Sequence, residues 1–224
     1  MMVDLVIPMK TLDRAKSRLF GAADNGTGDR VAHEALALAL VRDTAAAAIA
    51  TASVRRVLVV TSDPTVAEAL ASDGVETIPD EHPGAGLNAA YTRGAAVLRG
   101  RDPDAVIGAL QADLPALRPD ELAAALAEAD GRRAFCADRQ GTGTTLLLAA
   151  PGAPLDPRFG PGSAQAHAGT GAIEVGTGLA SLRCDVDTAE DLRVAAGLGL
   201  GKHTAAFAPA APVGQIGWSC CPRA

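Results

Sequence analysis

The sequence predicts an α/β protein whose core is a Rossmann-like, mostly parallel β-sheet with an antiparallel addition. Two observations favour this class. Up to about residue 133, apolar runs of strand length alternate with longer segments of strong helix formers, as in right-handed β–α–β crossovers. Beyond that point, two short apolar segments follow each other with only a glycine-rich stretch between them, which predicts strands that pair without a helical crossover.

The first half of the chain provides most of the predicted elements. The opening strand is VDLVIP, a largely apolar run closed by proline and typical of a strand buried on both faces. Pro64 and Pro119 mark the first turns of two helices. The predicted elements after the opening strand are helix 31–50, strand 55–63, helix 64–72, a weaker strand 75–79, helix 87–99, strand 104–113 and helix 118–130.

The second half predicts short strands at 133–138 and 144–150, a Gly- and Pro-rich loop from 151 to 172, a final strand at 181–187 and a helix at 188–198. After that helix the sequence loses periodicity and becomes rich in Ala, Pro and Gly. We therefore expect one domain over residues 1–198 and a disordered tail over residues 199–224.

Composition excludes several classes of protein. The formal net charge is 20 − 26 = −6, which argues against a protein that coats nucleic acid. No apolar run approaches the roughly 18 residues of a membrane span, and Asp4 stands where a signal peptide is positively charged. We expect a cytoplasmic protein without a membrane or nucleic-acid partner. Its four cysteines lack metal-site spacing and are expected to be reduced, and its four histidines show no ligand spacing or catalytic order.

Four cations crowd into nine positions just after the first strand: Lys10, Arg14, Lys16 and Arg18. If this segment loops over the carboxyl edge of the sheet, Lys10, Lys16 and Arg18 can converge on one polyanion such as a triphosphate. A solvated basic helix face is the alternative. The segment is not a Walker loop, because GxxxxGK[ST] is absent.

Three carboxylates end two predicted strands. Asp113 follows the fourth strand in QADLPAL, and Asp185 and Asp187 lie two residues apart in CDVDTAEDL, on one face of an extended chain. Paired carboxylates repel unless a cation lies between them, and Mg²⁺ suits oxygen ligands supplied partly by protein and partly by phosphates. Helix capping is the alternative reading of Asp187.

Two glycine-rich segments could bind a second anion. GTGTT, residues 141–145, and RFGPGS, residues 158–163, expose backbone N–H groups and hydroxyls. Ser163 could cap a short helix through SAQAHA and create an anion site at its start. Either segment could equally be a plain turn.

The ordered motifs IPMK-x-L-x-x-AKSRL, DLPAL, ADR-x-GTGT, RFGPGS and CDVDT resemble one family over residues 3–198. This is the family of phosphoenolpyruvate or 2-phospho-L-lactate guanylyltransferases of coenzyme F-420 biosynthesis. The resemblance implies a nucleotide-diphospho-sugar transferase (GT-A-like) fold. It also implies transfer of GMP from GTP to a three-carbon phosphate acid, with release of pyrophosphate and transient contact with the next enzyme of the pathway.

The resemblance also implies roles for residues at matching positions. Lys10, Lys16 and Arg18 are implied to bind the phosphates of GTP, and Leu87 and Asn88 to lie on its base side. Asp113, Asp185 and Asp187 are implied to hold Mg²⁺, and Thr144, Gly160 and Ser163 to hold the acceptor. Lys16, Arg18 and Asp113 are the implied catalytic residues. Ala112 stands where the pattern usually has glycine, which predicts a more crowded metal loop.

The acceptor is not settled by these motifs. RFGPGS and LRCDVDT resemble the actinobacterial branch, so we favour phosphoenolpyruvate over 2-phospho-L-lactate. The remaining alternatives are a nucleotidyltransferase acting on a molybdopterin or sugar phosphate, and an inactive relative that binds nucleotide to regulate a partner. Retention of all three acids argues against the inactive relative.

Overall fold

The structure is a computed structural model that describes residues 2–14, 19, 21–22, 26, 28–82 and 84–207. Its sheet has seven strands in the order β3-β2-β1-β4-β6-β5-β7. The strands are β1 Val3–Pro8, β2 Val54–Val60, β3 Glu76–Ile78, β4 Val106–Leu110, β5 Ala134–Ala137, β6 Thr144–Leu148 and β7 Ile173–Glu174. The helices are α1 Arg30–Ala50, α2 Pro64–Ser72, α3 Leu87–Arg101, α4 Pro119–Ala129, α5 Ser163–Ala168 and α6 Ala189–Leu198, with 3-10 turns at Leu12–Arg14 and Thr204–Phe207.

Strand direction confirms the predicted fold class. Strand β1 pairs in parallel with β2 and β4, and β2 pairs in parallel with β3. Strand β6 is antiparallel to both of its neighbours, β4 and β5. Because β6 runs backwards, its first residues lie beside the carboxyl ends of β4 and β5. The carboxyl ends of strands β1 to β5 and the start of β6 therefore lie at one edge of the sheet.

Helices cover both faces of the sheet. On β1, the side chains of Leu5 and Ile7 join a core cluster with α1, α2 and α4, whereas Val6 joins a second cluster with α3 and α5. Gly94 allows α3 to lie close to the sheet, because a Cβ at this position would fall 2.4 Å from a methyl group of Val6. The glycine that appears out of place in a helix is therefore required by packing.

The folded part of the chain extends beyond the predicted boundary at residue 198. Asp43 on α1 is buried and accepts hydrogen bonds from the backbone N–H groups of His203, at 3.0 Å, and Thr204, at 2.7 Å. The Gly201 N–H donates to the carbonyl of Pro115 at 2.8 Å. The expectation of a disordered tail is wrong for residues 199–207, while residues 208–224 lie outside the described part of the chain.

The expectation of a final strand at 181–187 is also wrong. The segment bonds to side chains instead of to a neighbouring strand: buried Glu121 of α4 accepts from the Ser181 N–H at 2.7 Å and the Ser181 hydroxyl at 2.8 Å. Arg183 in turn donates to the carbonyl of Asp138 at 2.8 Å. The seventh strand is the two-residue β7, earlier in the chain, which pairs with β5. None of the described helices is long and apolar enough to span a membrane.

Candidate active site

The carboxyl edge of the sheet brings together residues from three distant parts of the chain. Lys10 and Asp113 follow the neighbouring parallel strands β1 and β4, so they leave the sheet at the same edge. Thr144 begins β6 at this edge, where Gln111 donates its backbone N–H to the carbonyl of Thr145 at 2.9 Å. A site for two substrates at this edge agrees with the usual position of ligands in open α/β sheets.

The connection after β1 begins with Lys10, which is exposed. The N–H of Leu12 donates to the carboxylate of Asp63 at 2.9 Å, which ties the connection to the start of α2. The same carboxylate caps α2 through the N–H groups of Thr65 and Val66. Lys16 and Arg18 lie outside the described residues, so the structure locates only Lys10 of the three implied phosphate-binding cations.

Asp113 is buried, with 6% of its surface exposed, and the backbone on both sides of it is fixed by one hydroxyl. Thr44 of α1 accepts a hydrogen bond from the Leu114 N–H at 2.9 Å and approaches the carbonyl of Ala112 at 3.2 Å. The methyl group of Ala112 packs against the core. The fully buried Thr44 therefore sets the backbone position from which Asp113 extends.

The segment carrying Asp185 and Asp187 lies directly against Asp113. Val186, between the two acids, donates its N–H to the carbonyl of Asp113 at 3.0 Å. Asp185 is half-buried and Asp187 is exposed. The cap of α6 is Thr188 and not Asp187, so the alternative reading of Asp187 as an N-cap is wrong.

Helix α6 fixes the end of this segment. Thr188 and Asp191 form a capping box, and Asp191 also accepts a hydrogen bond from Arg139 at 2.8 Å. Burial disfavours the charge on Asp191, but the hydrogen bonds from Thr188 and Arg139 outweigh burial and lower its pKa. Because Arg139 belongs to the β5–β6 connection, this ion pair joins the acid-bearing segment to the loop before Thr144.

The carboxylates of Asp113, Asp185 and Asp187 suit a magnesium ion only if substrates supply its remaining ligands. Carboxylates are the preferred protein ligands of Mg²⁺, and the ion usually takes one or two of them and fills its remaining positions with phosphate and water oxygens. Within the described ranges, no group of three or more His, Cys, Asp or Glu side chains is arranged to hold a metal. Asp113 and the 185–187 segment are adjacent, but they do not form a preformed three-carboxylate cage among these residues.

The loop between β5 and β6 is built around a buried carboxylate. Asp138 accepts from the N–H groups of Thr142, at 2.9 Å, and Gly143, at 2.8 Å. A Cβ at position 143 would lie 2.4 Å from the Asp138 carboxylate oxygen, so only glycine fits there. The GTGT motif therefore forms a fixed turn that delivers Thr144 to the carboxyl edge.

The RFGPGS loop is held by Asn88 and by aromatic contacts. Asn88 accepts from the Phe159 N–H at 2.8 Å and donates to the Phe159 carbonyl at 3.0 Å. The Phe159 ring stacks on Tyr91, with centroids 4.4 Å apart, and meets His167 edge-on at 5.0 Å. The observed partner of the Asn88 amide is thus the RFGPGS loop, while Leu87 packs half-buried against the core.

The loop ends in α5, whose N-cap is Gly162 in a left-handed conformation and not Ser163. Gly160 is exposed, whereas Ser163 and Thr144 are 3% and 4% exposed. The Ala164 N–H donates to the carbonyl of Thr142 at 3.1 Å, which joins α5 to the β5–β6 loop. The expectation that Ser163 caps a helix is therefore wrong, although Ser163 does begin it.

His167, which was not among the predicted site residues, connects the two loops. It is fully buried; its Nδ1 lies 2.9 Å from the Thr144 hydroxyl, and its Nε2 accepts from the Arg158 N–H at 2.9 Å. Burial, assisted by the nearby Arg133 and Arg158, lowers the pKa of His167 to about 4, so the ring is neutral near pH 7. Thr144 and the RFGPGS loop are therefore held by a single neutral imidazole.

Comparison with known proteins places this geometry in a family. The profile of the MobA-like NTP transferase domain matches residues 38–186. A protein of Streptomyces scabiei named phosphoenolpyruvate guanylyltransferase is 51% identical over 209 residues, covering 91% of this chain and 94% of its own. A protein of the same name from Thermomonospora curvata is 51% identical over 210 residues, covering 93% and 89% of the two chains.

This chain belongs to the phosphoenolpyruvate guanylyltransferase family. The resemblance read from the ordered motifs is therefore confirmed. The fold also agrees with a solved 4-diphosphocytidyl-2C-methyl-D-erythritol synthase, which superposes with a TM-score of 0.59 at 13% identity and covers 88% of this chain and 99% of its own.

Sequence reasoning missed three residues that organise the site in this member of the guanylyltransferase family. Thr44 fixes the backbone around Asp113, Arg139 joins two segments of the candidate site, and His167 joins the β5–β6 loop to the RFGPGS loop. Only His167 had a usable signal, because it follows Ser163 by four residues and so shares its helical face. The contacts of Thr44 and Arg139 span 70 and 52 residues, and one sequence carries no sign of them.

Proposed function

We propose that this protein is a guanylyltransferase that moves GMP from GTP to the phosphate of phosphoenolpyruvate. The products are pyrophosphate and enolpyruvyl-diphospho-guanosine, an intermediate of coenzyme F-420 biosynthesis. One observation carries the proposal: relatives named phosphoenolpyruvate guanylyltransferase are 51% identical and align over about nine tenths of both chains. We further propose that the reaction takes place in the cytoplasm, where both substrates are made.

The carboxyl edge provides two neighbouring regions that fit two phosphorylated substrates. We assign the name nucleotide side to the region of Lys10, Asp113, Asp185 and Asp187, together with the undescribed Lys16 and Arg18. We assign the name acceptor side to the β5–β6 loop, the RFGPGS loop and α5, which contain Thr144, Gly160 and Ser163. Gln111 spans the boundary between the sides, because it precedes Asp113 by two residues and bonds to the backbone of Thr144 and Thr145.

In the proposed reaction, a phosphate oxygen of the acceptor attacks the α-phosphorus of GTP in line. A new P–O bond forms as the bond between the α-phosphorus and the bridging oxygen breaks, and that oxygen leaves with its electron pair on pyrophosphate. The attacking oxygen is already anionic at neutral pH, so no general base is needed. The protein contributes positioning and charge neutralisation.

The residues of the nucleotide side have separate roles in this proposal. Lys10, Lys16 and Arg18 bind the phosphates of GTP, and Lys16 and Arg18 offset the charge on the departing pyrophosphate. Asp113, Asp185 and Asp187 are the protein ligands that we assign to Mg²⁺. When bound, the ion would neutralise phosphate charge. On the acceptor side, the Thr144 and Ser163 hydroxyls and the backbone of Gly160 bind the acceptor anion.

The base of GTP lies near the start of α3 in this proposal, beside Leu87. Asn88 supports that region indirectly, because both ends of its amide are engaged by Phe159. One further N–H of the amide can still point outward.

A panel of acceptors tests the proposed function. The purified protein is incubated with GTP, Mg²⁺ and, separately, phosphoenolpyruvate, 2-phospho-L-lactate, a molybdopterin or a sugar phosphate. Pyrophosphate release and product mass are then measured. We expect the highest kcat/KM with phosphoenolpyruvate and a product containing both GMP and the intact acid. A higher kcat/KM with another acceptor would overturn the assigned substrate, and GTP binding without pyrophosphate release from any acceptor would indicate an inactive, nucleotide-binding relative.

A further inference from the structure

The two ring nitrogens of His167 have contacts that fix where its proton lies. A backbone N–H can only donate, so Nε2, 2.9 Å from the Arg158 nitrogen, must be the unprotonated, accepting nitrogen. A neutral imidazole carries its hydrogen on the other nitrogen. Nδ1, 2.9 Å from the Thr144 hydroxyl oxygen, therefore bears the hydrogen and donates it to Thr144.

This arrangement settles the direction of the Thr144 hydroxyl. Its oxygen accepts the hydrogen bond from His167, so its own hydrogen must turn toward a different acceptor. Across the described part of the chain, no protein group accepts that hydrogen, although Thr144 is only 4% exposed. A nearly buried O–H without an acceptor is unfavourable in the free protein, and an incoming acceptor group would relieve that penalty.

A second hydroxyl, which retains access to solvent, agrees with this conclusion. Ser163 is 3% exposed and starts the helix that carries His167. None of the described hydrogen bonds involves its hydroxyl. Thr144 and Ser163 therefore each bring to the acceptor side a hydroxyl whose hydrogen has no described protein acceptor, and two such donors suit an oxygen-rich anion.

We propose that His167 is a positioning residue that makes Thr144 an obligatory hydrogen-bond donor, directed at an anionic oxygen of the acceptor. This inference rests on the proposed function, because it takes Thr144 to face the acceptor. It also states a rule of specificity: the group opposite Thr144 is an unprotonated phosphate or carboxylate oxygen. A hydroxyl or an ester at the same place cannot match that charge-assisted bond.

The first test does not depend on activity. Protein labelled with 15N-histidine is studied by NMR at neutral pH, and the His167 signals are identified as those lost in His167→Gln. We expect the neutral ring with hydrogen on Nδ1 only. A ring with hydrogen on Nε2, or a doubly protonated ring, would overturn the proposal whatever reaction the protein catalyses.

The second test separates the two contacts of the ring by substitution. The amide of His167→Gln reaches the Nε2 position and can still accept from Arg158, but it no longer donates to Thr144. The amide of His167→Asn lies near Nδ1 and can still donate to Thr144, but it no longer accepts from Arg158. We expect His167→Gln to raise the acceptor KM by about tenfold, with the KM for GTP unchanged, and His167→Asn to raise it less.

Two further variants complete this test. His82→Gln, at an exposed histidine, is the matched control and leaves both KM values unchanged. Thr144→Val removes the hydroxyl on which His167 acts, so adding His167→Gln to it produces no further rise in acceptor KM. If His167→Gln and His167→Asn raised the acceptor KM equally, the ring would only fill space. The same conclusion would follow if the KM for GTP rose in parallel with the KM for the acceptor. Failure of wild-type protein to use phosphoenolpyruvate would refute the proposed substrate instead, and the KM comparison would then be made with the acid that reacts.

Discussion

The acceptor side and the nucleotide side of this site are built differently. On the acceptor side, the described contacts fix one proposed ligand-binding side chain directly, because His167 bonds to the Thr144 hydroxyl. Two further side chains fix the backbone around it: Asp138 holds the turn before Thr144, and Asn88 holds the backbone beside Gly160. On the nucleotide side, the described contacts fix the backbone around the acids, through Thr44 and the Val186–Asp113 hydrogen bond.

This difference indicates how much of each side exists before substrates bind. We infer that the acceptor side is largely formed before substrates bind, because protein contacts hold its groups, and this would reduce the ordering needed to bind a small anion. The nucleotide side, in its described part, contains no group of three potential metal ligands. We infer that an ion bound there would draw its remaining ligands from phosphates and water.

The largest effect is expected at Asp113. Asp113→Asn removes a charge but keeps the shape, and we expect turnover with saturating Mg²⁺ to fall by at least about 100-fold, the scale of losing one preorganised electrostatic contact. Asp120→Asn, at an exposed carboxylate on α4, is the matched control and should retain normal turnover. Near-normal turnover of Asp113→Asn would remove Asp113 from the proposed ion site.

The next largest effect is expected from Gly143→Ala. The added methyl group would fall 2.4 Å from the Asp138 carboxylate, which bonds to the Thr142 and Gly143 N–H groups. Movement of either the carboxylate or the backbone would disturb this turn, and we expect it to displace Thr144. We expect kcat/KM for the acceptor to fall by about ten- to a hundredfold, because displacements of about 1 Å at a positioning group have effects of this size. In Gly178→Ala the new methyl group meets nothing within 4 Å, and this control should behave as wild type. An unchanged acceptor kcat/KM in Gly143→Ala would show that the turn is not fixed.

A smaller effect is expected at Thr44. Thr44→Val leaves the Leu114 N–H without its buried partner, and we expect about tenfold lower activity at limiting Mg²⁺, with partial recovery at high Mg²⁺. Thr44→Ser keeps the hydroxyl and should therefore retain both the hydrogen bond to Leu114 and wild-type activity at limiting Mg²⁺. Thr92→Val serves as the control, because it removes a hydroxyl on the solvent-exposed face of α3 that bonds back to the Asn88 carbonyl at 2.9 Å. Loss of activity that Mg²⁺ does not change would contradict a link between Thr44 and the acid side.

The smallest effect is expected from protonation of His167, which changes the stability of the protein. The effect is smallest at neutral pH because the ring binds a proton only in acid. Burial, together with Arg133 and Arg158 and despite the opposing charge of Asp156, lowers the pKa of His167 to about 4 from 6.5. As pH falls, the unfolded chain binds a proton at His167 before the folded protein does. The contribution of the neutral ring to the free energy of unfolding is therefore complete above pH 6.5 and is lost progressively toward pH 4. Urea unfolding of wild type and His167→Gln across this range measures it. A parallel pH dependence of the two proteins would contradict a neutral buried ring.

Much of the fold could be predicted from the sequence, because local signals mark its elements. Apolar runs indicated β1, β2 and β4, and proline at the first turn marked the starts of α2 and α4. The strand predicted at 181–187 failed for a physical reason. The segment is largely buried, as in a strand, but residues 181–183 form a turn, and its backbone bonds to Glu121 and to the Asp113 carbonyl instead of to a strand ladder.

The sequence indicated candidate site residues by their type and position, and it carried no sign of the contacts between them. Carboxylates and hydroxyls at strand ends indicated which residues to examine. The contact between His167 and Thr144 joins residues 23 apart, and the contact between Asn88 and Phe159 joins residues 71 apart. No periodicity or spacing in one sequence reveals such pairs. The placement of Asn88 on the base side of GTP comes from the family resemblance and stays a prediction, and the structure adds its contact with the RFGPGS loop.

Amide hydrogen exchange in the free protein tests most directly whether the acceptor side is formed before substrates bind. The N–H groups of Thr142, Gly143, Arg158 and Phe159 each donate to a side chain, at 2.8 to 2.9 Å. We expect all four to exchange slowly without GTP, Mg²⁺ or acceptor, and to change little when these are added. Exchange as fast as in an open peptide, slowed only by added substrates, would show that the acceptor side is assembled by its ligands and would contradict this account.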